Sequence, residues 1–214
     1  MTPTRRDALL TLAASALPLW PAAALAGGQI EEPLADSVRS ALSAAIANSA
    51  PPVPEFSDTD KRLAYLRWLG ATSDRLKRRK PDFQTRIEFL QTVWYETKRA
   101  GLDTTLVLGL IQVESGFRKF AVSSVGARGY MQVMPFWVKL IGRPEDSLFD
   151  LRTNLRYGCT ILRHYLDIEK GDLFRALGRY NGSLGRPEYP NMVRANWQNH
   201  WHYDKATAPL AANR

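Results

Sequence analysis

Glu114 closes the apolar run Leu106-Val107-Leu108-Gly109-Leu110-Ile111-Gln112-Val113. A glycine- and serine-rich stretch follows, Ser115-Gly116-Phe117 through Gly126-Ala127-Arg128-Gly129-Tyr130-Met131-Gln132. Ionisable side chains are seldom fully buried unless paired, and burial raises a carboxyl pKa by disfavouring the anion. The partial negative charge at a helix C-terminus pushes the same way. A carboxylic acid that keeps its proton near neutral pH can protonate a leaving oxygen. Residue type and position mark Glu114 as a general acid. The competing reading is a capping or ion-paired carboxylate at a helix end, because structural ion pairs also perturb pKa.

Other reactive types read more plainly. Ser115 has no nearby histidine to activate it and is expected to be a helix-terminal hydrogen bonder. Cys159, the only cysteine, lies in Tyr157-Gly158-Cys159-Thr160-Ile161-Leu162, a buried helix face, so no internal disulfide can form. His200 and His202 flank Trp201, but residues two apart on a helix do not share a face, so no metal is expected there. His164 and Asp167 read as a surface pair. No phosphate loop, zinc spacing or Ser-His-Asp order is present, and no cofactor is expected.

These side chains need helices to place them. Residues 33–48 form an alanine-rich helical stretch closed by Pro51-Pro52-Val53-Pro54, an extended linker. Asp58 or Asp60 caps a helix through Lys61 to Leu69. The run Lys77-Arg78-Arg79-Lys80, stopped by Pro81, reads as a solvated helix end. Phe83, Ile87, Leu90, Val93 and Trp94 give a second amphipathic helix ending near Gly101. Asp103 or Thr104 caps the buried helix that carries Glu114, and residues 115–130 are loop-like. Pro135 suits the first turn of a short helix ending at Gly142. A long helix covers residues 150–168, Asp172 caps a short one ending near Gly182, and a last amphipathic helix covers residues 188–201. Trp68, Trp94, Trp137, Trp197 and Trp201 are mostly core, with Trp137 weighed as a sugar-stacking platform. No stretch alternates with period two, so the fold class is all-α, an irregular helical lobe with an N-terminal helical extension.

The chain has 214 residues, 45% of them hydrophobic, enough for one globular domain with a sizeable core. Its formal charge of +8 is unevenly spread. Residues 28–60 hold six acidic residues against Arg39 alone, whereas from Lys61 onward 26 basic residues face 14 acidic ones. A basic body favours an anionic partner. Thr4-Arg5-Arg6-Asp7, an apolar stretch and Ala24-Leu25-Ala26 form the charged, hydrophobic and cleavage regions of an export signal, with Gly27 first in the mature chain. The arginine pair resembles a twin-arginine signal, with the general secretory route still open. The apolar stretch is too short to span a bilayer. Export makes a carboxylate-bearing wall polymer a better partner than nucleic acid, and neither nucleic acid binding nor stable membrane insertion is expected. The expected divisions are residues 1–26 as signal peptide, 27–57 as helical arm and Pro-rich linker, 58–204 as the catalytic domain, and 205–214 as a disordered tail.

Four ordered blocks carry a resemblance. Val113-Glu114-Ser115-Gly116-Phe117 precedes Ser123-Ser124-Val125-Gly126-Ala127-Arg128-Gly129-Tyr130-Met131-Gln132-Val133-Met134-Pro135. Phe149-Asp150-Leu151-Arg152-Thr153-Asn154-Leu155-Arg156-Tyr157-Gly158 and Ala176-Leu177-Gly178-Arg179-Tyr180-Asn181-Gly182 follow. Together they resemble the soluble lytic transglycosylase family over roughly residues 95–200. Tyr130 replaces the usual leucine, and Arg179 and Gly182-Ser183 replace small residues.

The resemblance implies a lysozyme-like fold with Glu114 at the floor of a glycan groove. It implies peptidoglycan as substrate, cut without hydrolysis at the β-1,4 bond between N-acetylmuramic acid and N-acetylglucosamine to leave 1,6-anhydro ends. Glu114 would act as acid and then base. Tyr180 would hydrogen-bond and orient it, Gln132 and Ser123 would bind the neighbouring sugars, and Met134 and Asn181 would line the groove. Enzymes with two carboxylates need a second Asp or Glu flanking the bond. After Glu114 the next acidic residues are Glu145 and Asp146, beyond the glycine-rich block, which fits one residue serving twice. The expected setting is the periplasm, with the N-terminal arm as a docking segment for a cell-wall or secretion-machinery protein. The rival readings are a lysozyme-type muramidase hydrolase and a catalytically idle peptidoglycan-binding scaffold subunit.

Overall fold

A computed structural model describes residues 28–47 and 54–203. The expected signal peptide, residues 48–53 of the linker, and the tail from residue 204 lie outside the described residues. Among those described, eight α-helices and one π-helical turn make up the regular structure, joined by two isolated antiparallel bridges, Val122 with Arg128 and Arg128 with Val133. The fold is all-α, as expected.

The helices are α1 (Asp36–Ala47), α2 (Thr59–Leu76), α3 (Phe83–Arg99), α4 (Thr104–Ser115), α5 (Phe136–Ile141), α6 (Leu151–Ile168), α7 (Leu173–Asn181) and α8 (Glu188–Asn196). Aspartates start most of them. The carboxylates of Asp58, Asp82, Asp103, Asp150 and Asp172 each accept a backbone N–H of the first turn, which satisfies donors the helix itself leaves open. The last expected helix splits. It is α-helical to Asn196, and Trp197–Trp201 is wound as a π turn.

α4 is apolar around its circumference, and Leu106, Val107, Leu108, Leu110 and Ile111 are all buried. Such a helix belongs at the centre of a domain. It packs against α3, α8 and the π turn, and α6 packs between α3 and α7. Fully burying one of these aliphatic side chains is worth about 1.5–3 kcal/mol. A buried ion triad ties the layers together. Glu96, 1% exposed, receives Arg156 from α6 at 3.0 Å and Arg99 from its own helix at 2.8 Å. The two arginines also reach α1, Arg99 donating to the Ala45 carbonyl at 2.7 Å and Arg156 to that of Ile46 at 3.5 Å. The C-terminal end of α1 is therefore capped by cations, with Leu42 and Ile46 buried beneath it.

Three local expectations change. Lys80 is not solvated. It is 9% exposed, its ammonium donates to the Tyr130 hydroxyl at 2.8 Å, and it lies 4.5 Å from the Tyr130 ring centroid and 4.9 Å from that of Phe89. The phenol that departs from the family's leucine is thus the partner of this lysine. Asp167 pairs with Arg163, one helical turn away at 2.6 Å, and not with His164, which packs beside Trp137 and Tyr165. Trp137 is 2% exposed in the same aromatic group and cannot present a face to a sugar.

Candidate active site

Glu114 occupies the last turn of α4. Asp103 starts that helix by accepting from the N–H groups of Thr105 and Leu106 at 2.7 and 2.9 Å. Gly116 ends it in the left-handed conformation, φ 58°, which a residue without Cβ adopts without strain. The apolar body between these ends carries Glu114 into the interior, where it is 2% exposed. Burial drives its carboxyl pKa up to about 8, against a smaller lowering effect of a hydrogen bond from Tyr189. The Tyr189 hydroxyl donates to Oε1, while Oε2 is buried without a partner. Among the described residues no second carboxylate contributes to the shift. Asp146 instead accepts from the Tyr157 hydroxyl at 2.6 Å and the Arg143 N–H at 3.1 Å, and Glu145 is exposed.

The hydrogen bond that the family resemblance assigns to Tyr180 therefore comes from Tyr189. Tyr180 donates to the Met131 carbonyl at 2.8 Å. The reason is topological. α7 faces the glycine-rich loop, whose buried carbonyl needs a donor, whereas α8 packs along α4 and presents Tyr189 to Glu114. Tyr180 remains a neighbour. Burial first, then the nearby Glu114, raise its phenol well above the ordinary range, and the same two causes act on Tyr189. Both phenols stay neutral donors at physiological pH. The burial of Tyr189, though not its partner, was open to inference, since Tyr189, Val193, Trp197 and Trp201 recur at helical spacing on the inner side of the last helix.

The loop after Glu114 is held carbonyl by carbonyl. Asn154, fully buried, accepts from the Met131 N–H at 2.8 Å and donates to the carbonyls of Arg128 and Leu148 at 2.9 and 2.8 Å. Ser115 donates to the Tyr130 carbonyl at 2.7 Å. Gln132, 2% exposed, donates to the carbonyls of Gly129 and Ala121 at 2.9 and 3.1 Å. Two motif glycines are spatial requirements. A Cβ on Gly129 would lie 2.4 Å from Asn154 Nδ2, and one on Gly158 would lie 2.4 Å from Met131 Sδ.

The remaining expected site residues surround this frame. Ser123 is half-buried, its hydroxyl accepting from the Ala127 N–H at 3.1 Å. Met134 is half-buried, and its N–H meets Oε1 of Gln29 at 3.3 Å. Asn181 is 8% exposed, donates to the Ser183 hydroxyl at 3.1 Å, and has an unpartnered Oδ1. Gln29, on the segment before α1, was not anticipated. Nothing local in Gly28-Gln29-Ile30 signals a side chain 4% exposed against residues a hundred positions away.

A protein-family model described as the transglycosylase SLT domain matches residues 91–198, just over half of the chain. A transglycosylase of Enterobacteria phage PRD1 is 32% identical over 117 residues, covering 51% of this chain and 43% of the phage protein. A membrane-bound lytic murein transglycosylase C of Mannheimia succiniciproducens is 38% identical over 84 residues, 35% of this chain and 24% of that protein. The chain thus spans less than half the length of these curated relatives. Among solved structures, an inactive mutant of the lytic transglycosylase Slt from Pseudomonas aeruginosa is 27% identical, with a TM-score of 0.40 over 62% of this chain and 23% of that one.

Proposed function

Because the chain belongs to the transglycosylase SLT domain family, we propose that it is a peptidoglycan lytic transglycosylase of lysozyme-like fold with Glu114 as its single acid and base. The observation that carries this is the state of one carboxyl. It is buried, raised to about 8, held at Oε1 and unpartnered at Oε2. Near neutral pH it holds a proton. With Tyr189 donating to Oε1, that proton resides on Oε2, the oxygen without a protein partner.

Proton transfer from Oε2 to the glycosidic oxygen releases the N-acetylglucosamine side as an alcohol and leaves Glu114 an anion. The positive character that develops at C1 of the muramic residue is shared by its own acetamido group, an alternative that glycosidases with a lone carboxylate use. The C6 hydroxyl then attacks C1, and Glu114 takes its proton. One bond breaks, one forms within the same sugar, and the carboxyl ends as it began, with no water consumed. Tyr189 stabilises the anionic interval, because its hydrogen bond favours the charged form. Tyr180 and Asn154 act one step back, fixing the loop that bears Met131 and Gln132.

In this reading Ser123 and Gln132 bind sugars beside the cleavage point, and Met134 and Asn181 line the groove. The signal-like residues 1–26 support a periplasmic setting, and no described helix is long and apolar enough to cross a membrane. The basic body suits an acidic wall polymer. The test is release of soluble fragments from purified peptidoglycan by the wild type and by Glu114→Gln. Release by the wild type alone supports the proposal, and equal release by both refutes it.

A further inference from the structure

The segment before α1 lies on the residues just assigned to the groove. Gln29 Oε1 accepts from the Met134 N–H at 3.3 Å, and its amide sits beside the Tyr180 hydroxyl. Gly28 touches the turn that closes α7. A Cβ on Gly28 would lie 2.9 Å from the Asn181 carbonyl oxygen, and one on Gly182 would lie 1.8 Å from the Gly28 carbonyl oxygen. Two backbones meet there with no room for a side chain. Further along, Glu32 accepts from Arg179 Nη1 at 3.1 Å, and Glu169 receives the same guanidinium. Arg179 is one of the positions that depart from the family pattern, and the segment it holds supplies a reason for the departure.

We infer that residues 28–32 are a strap seated in the glycan groove, with the Gln29 amide standing where an acetamido group of the substrate binds, so that strap and glycan exclude one another. The inference rests on the groove assignment made under the proposed function. A primary amide and an acetamido group present the same carbonyl acceptor and N–H donor, which is why one can take the seat of the other. The strap fits incompletely. Gln29 is 4% exposed, yet its Nε2 makes no well-formed hydrogen bond, with only the Tyr180 hydroxyl beside it. Its outer fastening, Glu32 with Arg179, is partly solvated, with side chains 48% and 22% exposed, and such pairs hold weakly. α1, by contrast, is fixed through Leu42, Ile46 and the cationic cap from Arg99 and Arg156. The strap can therefore lift while α1 stays docked. The acidic arm on a basic body is the same arrangement seen at the level of charge.

A closed population weakens apparent affinity in proportion, the apparent Kd being the intrinsic Kd divided by the open fraction. Glu32→Lys loosens the strap away from Glu114 and its loop, whereas Gln29→Ala and Gly28→Val loosen it at its contacts with Met134 and the Asn181 turn. The full chain carrying each variant is compared with the wild type in two measurements. One is binding of an N-acetylglucosamine trimer, followed by calorimetry in a Glu114→Gln background. The other is turnover of solubilised glycan strands. The expected result is tighter trimer binding by about three- to tenfold, with KM lowered by a similar factor and, in Glu32→Lys, kcat unchanged. Unchanged or weaker trimer binding in all three variants overturns the strap, and weaker binding would make Gln29 a part of the substrate site. Tighter binding with no turnover by any protein leaves the strap standing and removes the lyase reading. Turnover by the wild type with no tighter binding in the variants does the reverse.

Discussion

The Tyr189 hydroxyl donates to Oε1 of Glu114 across 75 residues of sequence, and this bond divides the carboxylate into a held oxygen and a free one. The phenol lowers the carboxyl pKa, against the larger upward push of burial. Tyr189→Phe should therefore raise the pKa further and weaken the anionic interval of the reaction. The expected outcome is a loss of kcat of about 10- to 100-fold, at or below the low end of the roughly 10²–10⁴ that an acid–base group itself contributes. The alkaline limb of the pH profile, where the acid loses its proton, should also move upward. A merely structural tyrosine would lower the amount of folded protein without moving that limb.

The same carboxyl sets a stability trend. Its folded pKa lies near 8 and its ordinary value at 4.5, so between these pH values the folded state binds a proton that the unfolded state has released. Stability must fall as pH rises through that window, by up to about 1.4 kcal/mol per unit. Glu114→Gln removes the titration. Urea denaturation should show the variant gaining on the wild type steadily from pH 5 to 8. Parallel curves for the two proteins would contradict the buried, protonated state.

Asn154 is the brace of the glycine-rich loop. Replacing it by alanine leaves the buried Met131 N–H and the Arg128 and Leu148 carbonyls without their side-chain partner. Each unmet group costs about 1–3 kcal/mol, so Asn154→Ala should lose several kcal/mol and most activity together. Asn154→Asp keeps the acceptor for Met131 and turns the donor into a second acceptor facing the Arg128 and Leu148 carbonyls, so it should also be destabilised.

Glu96 neutralises the buried Arg156 and the partly buried Arg99, both of which also grip α1. Removing it with Glu96→Ala leaves those cations uncompensated, a loss of about 3–5 kcal/mol measured by denaturation. Protease cleavage within α1 should accelerate in the same variant, because its cap is loosened.

Much of this architecture was legible one element at a time. Aspartate caps at Asp58, Asp103 and Asp172 and the apolar run of α4 are local signals, and each element formed where they point. The burial of Glu114 was legible for the same reason, since a carboxylate that ends an apolar helix is carried into the interior with it. What escaped depended on distance in sequence. Lys80 looked solvated because its aromatic partner Tyr130 lies 50 residues away. Tyr180 and Tyr189 could not be told apart without knowing that α7 faces the loop while α8 faces α4. Gln29 carried no signal, because a single amide in a short acidic segment has no periodicity to betray its burial.

If Glu114 sends a proton out and takes it back, no water enters the product. Digestion of purified peptidoglycan in heavy-oxygen water, followed by mass spectrometry of the new muramic ends, reads that out. Anhydro ends carrying no heavy oxygen are expected from the wild type, and no such ends from Glu114→Gln. Reducing ends carrying the heavy isotope would overturn the single-carboxylate lyase and establish hydrolysis instead.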